Sequence, residues 1–242
     1  MLFRSRVEGE RDLDPSMTAA TRLADLRGAN GTGVRAGSIE VDVNGTVTQL
    51  DLSEADSVGD VLSALSAAIQ ATDPGATIAI DPATGDRIAI TPSAGSTIVI
   101  RDSNSSTTAG DLGLAGTYAG GATTTGLDLD PKLTALTRLD SLSGVTVPLG
   151  QILIRNNGQT RQIDLSSLTT IQDFQNAVAA AGIGARVEIS DDGTRLNVRN
   201  EVSGTSMSIE EVGTNTATEL GIRSFSALTD RKSTRLNSSH RT

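Results

Sequence analysis

A chain of 242 residues with 20 Lys and Arg against 29 Asp and Glu has a formal net charge of −9, which disfavours binding to nucleic acid or to an anionic membrane. The absence of Cys excludes disulfides and thiolate chemistry. With no Trp, one Tyr and three Phe, the cores must be built from aliphatic side chains, and the usual aromatic anchors of a ligand pocket are nearly absent.

The first pattern in chain order is a short sequence segment, termed the lead-in, that occurs twice. It starts at Asp12 and again at Asp128, an offset of 116 residues. The first copy contains Asp12-Leu13-Asp14-Pro15, Thr18-Ala19 and Thr21-Arg22-Leu23, and the second contains Asp128-Leu129-Asp130-Pro131, Thr134-Ala135 and Thr137-Arg138-Leu139. A duplication of this size predicts two folding units, over residues 12–116 and 128–229, and a surface that is presented twice rather than one assembled pocket.

A β-hairpin and a helix are predicted next in the first copy. Ile39, Val41 and Val43 alternate with polar residues and precede Asn44-Gly45, a dipeptide that favours a type I′ turn. Ser57 and Asp60 have the spacing of a capping box, and the residues after Ser57 place their apolar side chains on one helical face: Val58, Val61, Leu62, Leu65 and Ile69.

Short strands follow each predicted helix. In the first copy their alternating residues are Ile78 and Ile80, Ile88 and Ile90, and Ile98 and Ile100. The second copy repeats the order with a hairpin at Asn157-Gly158, a helix capped by Thr170 and Asp173, a helix stop at Gly182, and strands around Val187, Ile189, Leu196 and Val198. Short helical turns close the copies at Leu112-Gly113-Leu114 and Leu220-Gly221-Ile222. The predicted fold class is α+β, with two tandem modules of mainly antiparallel strands, each with one amphipathic helix, in the order hairpin, helix, β-meander, short helix.

Two segments are predicted to lie outside these units. Residues 117–127 are rich in Gly and Thr and predict a flexible linker. Residues 230–242 contain a string that looks like the translation of a sequencing adapter, so this segment, which includes the sole histidine His240, is interpreted as an artefact that is not part of the fold.

Candidate catalytic groups are sparse once His240 is excluded. Serine catalysis of the triad kind lacks its usual base. The paired carboxylates Asp12/Asp14, Asp128/Asp130 and Asp191/Asp192 lie beside Gly or Pro and are interpreted as solvated turn residues. The acidic turns could supply oxygen ligands to calcium, but they lack the spacing of a calcium-binding loop. The sequence therefore predicts no catalytic residue, no cofactor and no metal ligand.

The repeated unit resembles the flagellin IN motif. The shared elements in the first copy are Asn44-Gly45, Asp51-Leu52-Ser53, Asp60, Gly85-Asp86-Arg87-Ile88 and the closing Thr108-Ala109-Gly110-Asp111-Leu112-Gly113-Leu114. Those in the second copy are Asn157-Gly158, Asp164-Leu165-Ser166, Asp173, Gly193-Thr194-Arg195-Leu196 and Thr216-Ala217-Thr218-Glu219-Leu220-Gly221-Ile222. The resemblance covers about residues 12–229, and within the family the lead-in looks most like hook-associated protein 3, the hook–filament junction protein.

This resemblance implies a non-enzymatic structural component of the extracellular bacterial flagellum, needed for motility and secreted by the flagellar export route. The implied partners are neighbouring flagellar subunits, namely junction protein and flagellin. Such proteins polymerise through long helices at both chain ends, and no sustained heptad pattern occurs before Asp12 or after Ile222, which predicts a fragment that carries the surface-exposed domains. The alternatives are a flagellin filament subunit or a filament cap fragment and, from another class, a secreted adhesin-type binding module with two weak sites.

Overall fold

The computed structural model describes residues 6–103 and 105–224, so the predicted adapter segment 230–242 and His240 lie outside the described residues. Four α-helices lie in this part of the chain: α1 (Val58–Gln70), α2 (Thr108–Asp111), α3 (Ile171–Ala180) and α4 (Thr216–Glu219). Two 3-10 turns, Leu23–Asp25 and Leu139–Ser141, occupy equivalent places in the two lead-ins. No helix among the described residues has the length and apolarity that crossing a membrane requires.

Strands make up the rest of the regular structure in residues 6–103 and 105–224, where every strand pair is antiparallel. The strands are β1 (Arg6–Val7), β2 (Ser38–Val43), β3 (Thr46–Asp51), β4 (Thr77–Ile80), β5 (Ile88–Thr91), β6 (Thr97–Asp102), β7 (Gly116–Ala119), β8 (Thr124–Thr125), β9 (Gln151–Asn156), β10 (Gln159–Asp164), β11 (Ala185–Ile189), β12 (Leu196–Asn200) and β13 (Met207–Val212). They form four sheets with the orders β3-β2-β6-β7, β4-β5-β8, β10-β9-β13 and β1-β12-β11. Several antiparallel sheets with few helices are compatible with the predicted α+β class.

The predicted hairpin turns are confirmed in both copies. Asn44 and Gly45 have φ of 55° and 85° between β2 and β3, and Asn157 and Gly158 have φ of 48° and 72° between β9 and β10. Positive φ at both central residues is the requirement of a type I′ turn, which Asn and Gly meet at low cost. The turn fixes the register, so that Val41 lies opposite Thr48 and faces the core.

Both predicted capping boxes are also present. The Ser57 hydroxyl accepts a hydrogen bond from the Asp60 backbone N–H, and the Asp60 carboxylate accepts one from the Ser57 N–H. Thr170 and Asp173 make the same reciprocal pair at the start of α3. Gly182, with φ of 62°, follows the last turn of α3 and stops the helix as predicted.

We expect Ser57→Ala and Thr170→Ala to lower the free energy of unfolding by about 1 kcal/mol each, because each removes a cap from backbone N–H groups that have no helical partner. Ser63→Ala is the matched control, since the Ser63 hydroxyl only bonds the Gly59 carbonyl on the exposed side of α1. Urea denaturation followed by circular dichroism measures the three variants. Equal midpoints for Ser57→Ala and Ser63→Ala would contradict the capping role.

The buried apolar side chains of the described part of the chain form two hydrophobic clusters. The first core contains residues between Met17 and Leu129 and lies between α1 and the sheets of β2 to β8. The second core contains Leu13 and residues between Leu133 and Ile222, with Phe174 of α3 among its fully buried side chains.

The predicted β-meander is wrong in both copies. β6 pairs with β2 rather than with β5, and β13 pairs with β9 rather than with β12. The alternation of Ile98 and Ile100 predicts a strand, but it does not specify the partner, since the residues of β2 and β5 are buried in the same core.

The predicted flexible linker over 117–127 is also corrected. β7 pairs with β6, and β8 pairs with β5. Tyr118 is buried in the first core and donates a hydrogen bond from its hydroxyl to the Leu114 carbonyl at 2.9 Å. Burial of this one aromatic ring holds the Gly- and Thr-rich segment against the sheet.

Candidate functional site

Residues 6–15, termed the first crossing segment, dock on the second core. β1 pairs with β12, with Val7 opposite Val198, and the Gly9 N–H donates to Oδ1 of Asn197 at 2.9 Å. Leu13 is fully buried in the second core, and its N–H donates to the Thr194 carbonyl at 3.0 Å. The chain then continues into the first core at Met17.

Residues 126–131, termed the second crossing segment, make the reciprocal contact with the first core. The Gly126 N–H donates to the Ile88 carbonyl at 2.7 Å, and the Leu129 N–H donates to the Asp86 carbonyl at 2.9 Å. Leu129 is fully buried in the first core. The boundaries predicted from the sequence put Leu13 in the first unit and Leu129 in the second, and the structure corrects both assignments.

The two crossing segments meet in a joint with local two-fold pseudo-symmetry. The Ser16 N–H donates to the Ser141 carbonyl at 2.8 Å, and the Lys132 N–H donates to the Asp25 carbonyl at 2.7 Å. Each of these bonds is the equivalent of the other under the 116-residue offset. The bridges Pro15–Leu142 and Pro131–Leu26 are related in the same way.

The two copies of the lead-in form the two halves of this joint, which explains why the sequence is repeated. The Thr18 N–H donates to Oγ1 of Thr21 at 2.8 Å, and the Thr134 N–H donates to Oγ1 of Thr137 at the same distance. Both lead-ins also line one shared groove, which Leu136 borders with 74% of its side chain exposed.

Five carboxylates converge at the joint. Asp12, Asp14, Asp128 and Asp130 line one concave surface, and Asp86 contributes from the loop before β5. The Asp14 N–H donates to Oδ1 of Asp12 at 3.1 Å, and the Asp130 N–H donates to Oδ1 of Asp128 at 2.8 Å. These turns hold Asp14 and Asp130 at φ of 28° and 46°.

Asp14 is the electrostatically unfavourable member of this carboxylate cluster. Burial raises the pKa of its carboxyl to about 6, and the charges of Asp128, Asp86, Asp12 and Asp130 add to the effect. Oδ1 of Asp14 is buried and has no hydrogen-bond partner among the described residues. The interpretation of all paired carboxylates as solvated turn residues is therefore wrong for Asp14.

An asymmetry between the two copies accounts for the state of Asp14. Asp130, its equivalent, forms an ion pair with Arg27 at 3.1 Å, which opposes the increase in the Asp130 pKa that burial causes. The position 116 residues after Arg27 is Ser143, so Asp14 lacks the corresponding guanidinium. Comparing Arg27 with Ser143 at the repeat offset is the sequence signal that could have identified this site.

The chemistry available to the cluster is limited by its ligand types. Asp14, Asp86 and Asp128 each offer a carboxylate oxygen, and these oxygens lie within 4.8 Å of one another, a spacing that one hard cation could span. Acidic groups at this spacing are common without an ion, so the geometry alone assigns no metal. Neither His nor Cys occurs in residues 6–103 and 105–224 to serve as a base or nucleophile beside these carboxylates.

The other elements of the predicted motif have local structural roles. Asp51 and Asp164 each accept a hydrogen bond from the backbone N–H two residues later, at 2.9 Å in both copies. Arg87 pairs with Asp86, and Arg195 pairs with Asp192. Leu112 and Leu220 are buried beside α2 and α4.

We expect Asp14→Asn to stabilise the fold above pH 6 and to lose this effect as the pH falls towards 4. The folded-state pKa of about 6 lies above the ordinary value of 3.8, so the folded state releases the proton less readily than the unfolded state, and stability falls as the pH rises through this window. Thermal unfolding at pH 7.5 and pH 4.0 measures the difference. The control is Asp25→Asn in the same lead-in, and equal shifts of the two variants at both pH values would contradict the assignment.

Comparisons with known proteins give only weak structural likeness. No family model matches the chain, and no curated protein matches it. The solved structures that match include the flagellar cap protein FliD from Helicobacter pylori, with a TM-score of 0.22 and 15% identity over 92% of this chain and 56% of that chain. The chain thus spans just over half the length of that structure, and a TM-score this low does not show a shared fold.

Proposed function

We propose that the chain is a non-catalytic structural component of the bacterial flagellum and supplies the surface-exposed domains of a junction protein similar to hook-associated protein 3. The observation that supports this proposal is the repetition of the motif elements in equivalent structural roles. Both Asn-Gly turns, both capping boxes and both Asp-x-Ser turns stabilise local backbone, which suits a protein whose duplicated unit serves as a building block.

The joint between the two cores adds a mechanical argument. Two crossing segments, rather than one tether, connect the two cores, and each buries a leucine in the core it reaches. A joint of this kind resists separation because pulling the halves apart exposes both Leu13 and Leu129 to water. Neighbouring flagellar subunits are the proposed partners, and the net charge of −9 keeps such a chain soluble during export.

Immunogold electron microscopy on cells that encode this chain tests the proposal. An antibody raised against the purified chain is expected to label a single short band between hook and filament. Label along the whole filament would assign the chain to flagellin, and label at the tip would assign it to the cap. Label on the cell surface away from flagella would overturn the flagellar assignment and favour the adhesin alternative.

A further inference from the structure

The described hydrogen bonds and ion pairs between the two halves of the molecule involve the crossing segments or the residue that follows each of them, Ser16 or Lys132. Among the described residues, each backbone hydrogen bond between the halves has a donor or acceptor in residues 6–16 or 126–132. Side-chain contacts follow the same rule, since Arg11 donates to the carbonyls of Ser143 and Gly144, and Arg27 pairs with Asp130. The described hydrogen bonds that dock residues 6–13 are therefore made with the second half, whereas Asp14 also lies beside Asp86 of the first half.

The first crossing segment is joined to the first half by a strained hinge at Asp14-Pro15. A residue before proline is restricted to extended conformations, yet Asp14 has φ of 28°. Positive φ is unfavourable for a residue with a Cβ atom, so the closed conformation carries backbone strain at this residue. An extended hinge would remove that strain.

Charge acts on the hinge in the same direction. Closure brings the carboxylates of Asp12 and Asp14 on the first crossing segment against those of Asp128, Asp130 and Asp86, and Oδ1 of Asp14 is buried without a partner. The guanidinium groups at the cluster, from Arg27 and Arg87, pair with Asp130, Asp86 and Asp128 rather than with Asp14. Opening the hinge separates Asp14 from most of these carboxylates while the segment is undocked, so charge favours its release before it docks on another copy.

We propose that the first crossing segment exchanges between copies, so that residues 6–15 of one copy dock on the second half of another copy. Exchange preserves every docking contact, including the β1–β12 pairing and the burial of Leu13, because the receiving surface is the same in each chain. The only interactions that change are those of the hinge, where the closed form is strained. Exchange thus links copies of this chain without requiring a new surface.

Cysteine cross-linking between two variants tests exchange directly, because the chain has no native Cys. Arg6 and Arg199 are Cα partners across β1 and β12, and Arg199 has 43% of its side chain exposed. Arg6→Cys and Arg199→Cys chains are mixed at high concentration, incubated, oxidised with copper–phenanthroline and separated on a non-reducing gel. A disulfide-linked dimer is expected only in the mixture and not with either variant alone.

The matched control uses a pair that cannot exchange. Thr160 and Arg155 are Cα partners within the β9–β10 hairpin, so mixed Thr160→Cys and Arg155→Cys chains should give no linked dimer. Equal yields from the two mixtures would overturn the proposal. The double variant Arg6→Cys/Arg199→Cys should form its disulfide within or between chains, and failure to form any would show that the docking itself is absent.

Asp14→Gly tests the hinge as the source of the exchange. Glycine adopts positive φ readily and removes one carboxylate, so this change favours the closed form in two ways. In the Arg6→Cys and Arg199→Cys background it should lower the linked fraction several-fold at equal concentration. An unchanged or larger fraction would overturn hinge strain as the driving force.

Discussion

Phe174→Ala is expected to destabilise the second half by about 3–5 kcal/mol, the range for truncating a buried Phe side chain. Phe174 is fully buried in α3 and lies among the side chains of the second core, and it is the only Phe in residues 6–103 and 105–224. Its removal leaves a cavity that the aliphatic neighbours can fill only in part.

The two copies provide an internal comparison for this prediction. Val61 follows the Ser57 cap of α1 by four residues, as Phe174 follows the Thr170 cap of α3, and both side chains are fully buried. Val61→Ala removes fewer atoms and should cost about 2 kcal/mol in the first half. Leu136→Ala, at a side chain with 74% exposure, should stay within about 0.5 kcal/mol of the parent chain.

Hydrogen exchange measured by mass spectrometry reports the effect of the substitution on each half separately. Phe174→Ala should speed exchange in β9 and β13, with little change in β2 and β6. Uniform loss of protection in all four strands would show that the two cores unfold as one unit. An unchanged urea midpoint would contradict the burial of Phe174.

The elements that the sequence predicts correctly are those determined by a few neighbouring residues. A type I′ turn needs only Asn44-Gly45, and a capping box needs only Ser57 and Asp60, so the pattern within a few residues determines the structure. Alternation predicts β6 as a strand for the same reason. Its partner β2 lies more than fifty residues earlier, and alternation carries no information on which distant strand it joins.

The joint could not be predicted, because an apolar residue such as leucine predicts burial but not which of the two cores it enters. Leu13 and Leu129 are apolar residues between aspartates, and nothing in the neighbouring sequence distinguishes the core that each enters. The acidic cluster could not be predicted for the same reason, since Asp14 lies near Asp86 and Asp128 only when the two segments cross. In the segment 117–127, Tyr118 was the signal against a flexible linker, because an aromatic residue among Gly and Thr favours burial.

The crossing of the two segments predicts that each leucine stabilises the half to which the repeat boundaries do not assign it. Leu13→Ala should destabilise the second half by about 2–5 kcal/mol, and Leu129→Ala should destabilise the first half by a similar amount. Each side chain is fully buried in the core of that half. Each residue also donates a backbone N–H hydrogen bond to that half, from Leu13 to the Thr194 carbonyl and from Leu129 to the Asp86 carbonyl.

Hydrogen exchange in the two halves measures this crossed effect. Leu13→Ala should raise exchange in β11 and β12, although residue 13 precedes the first half, and Leu129→Ala should raise exchange in β4 and β5. Leu127→Ala is the control on the second crossing segment, since 61% of the Leu127 side chain is exposed. If Leu13→Ala loosened α1 and β2 while β12 kept its protection, the crossing would be wrong and the halves would follow the sequence repeat. The crossed result would instead show that each half is completed by a segment that the repeat boundaries assign to the other, and this is the condition on which exchange between copies depends.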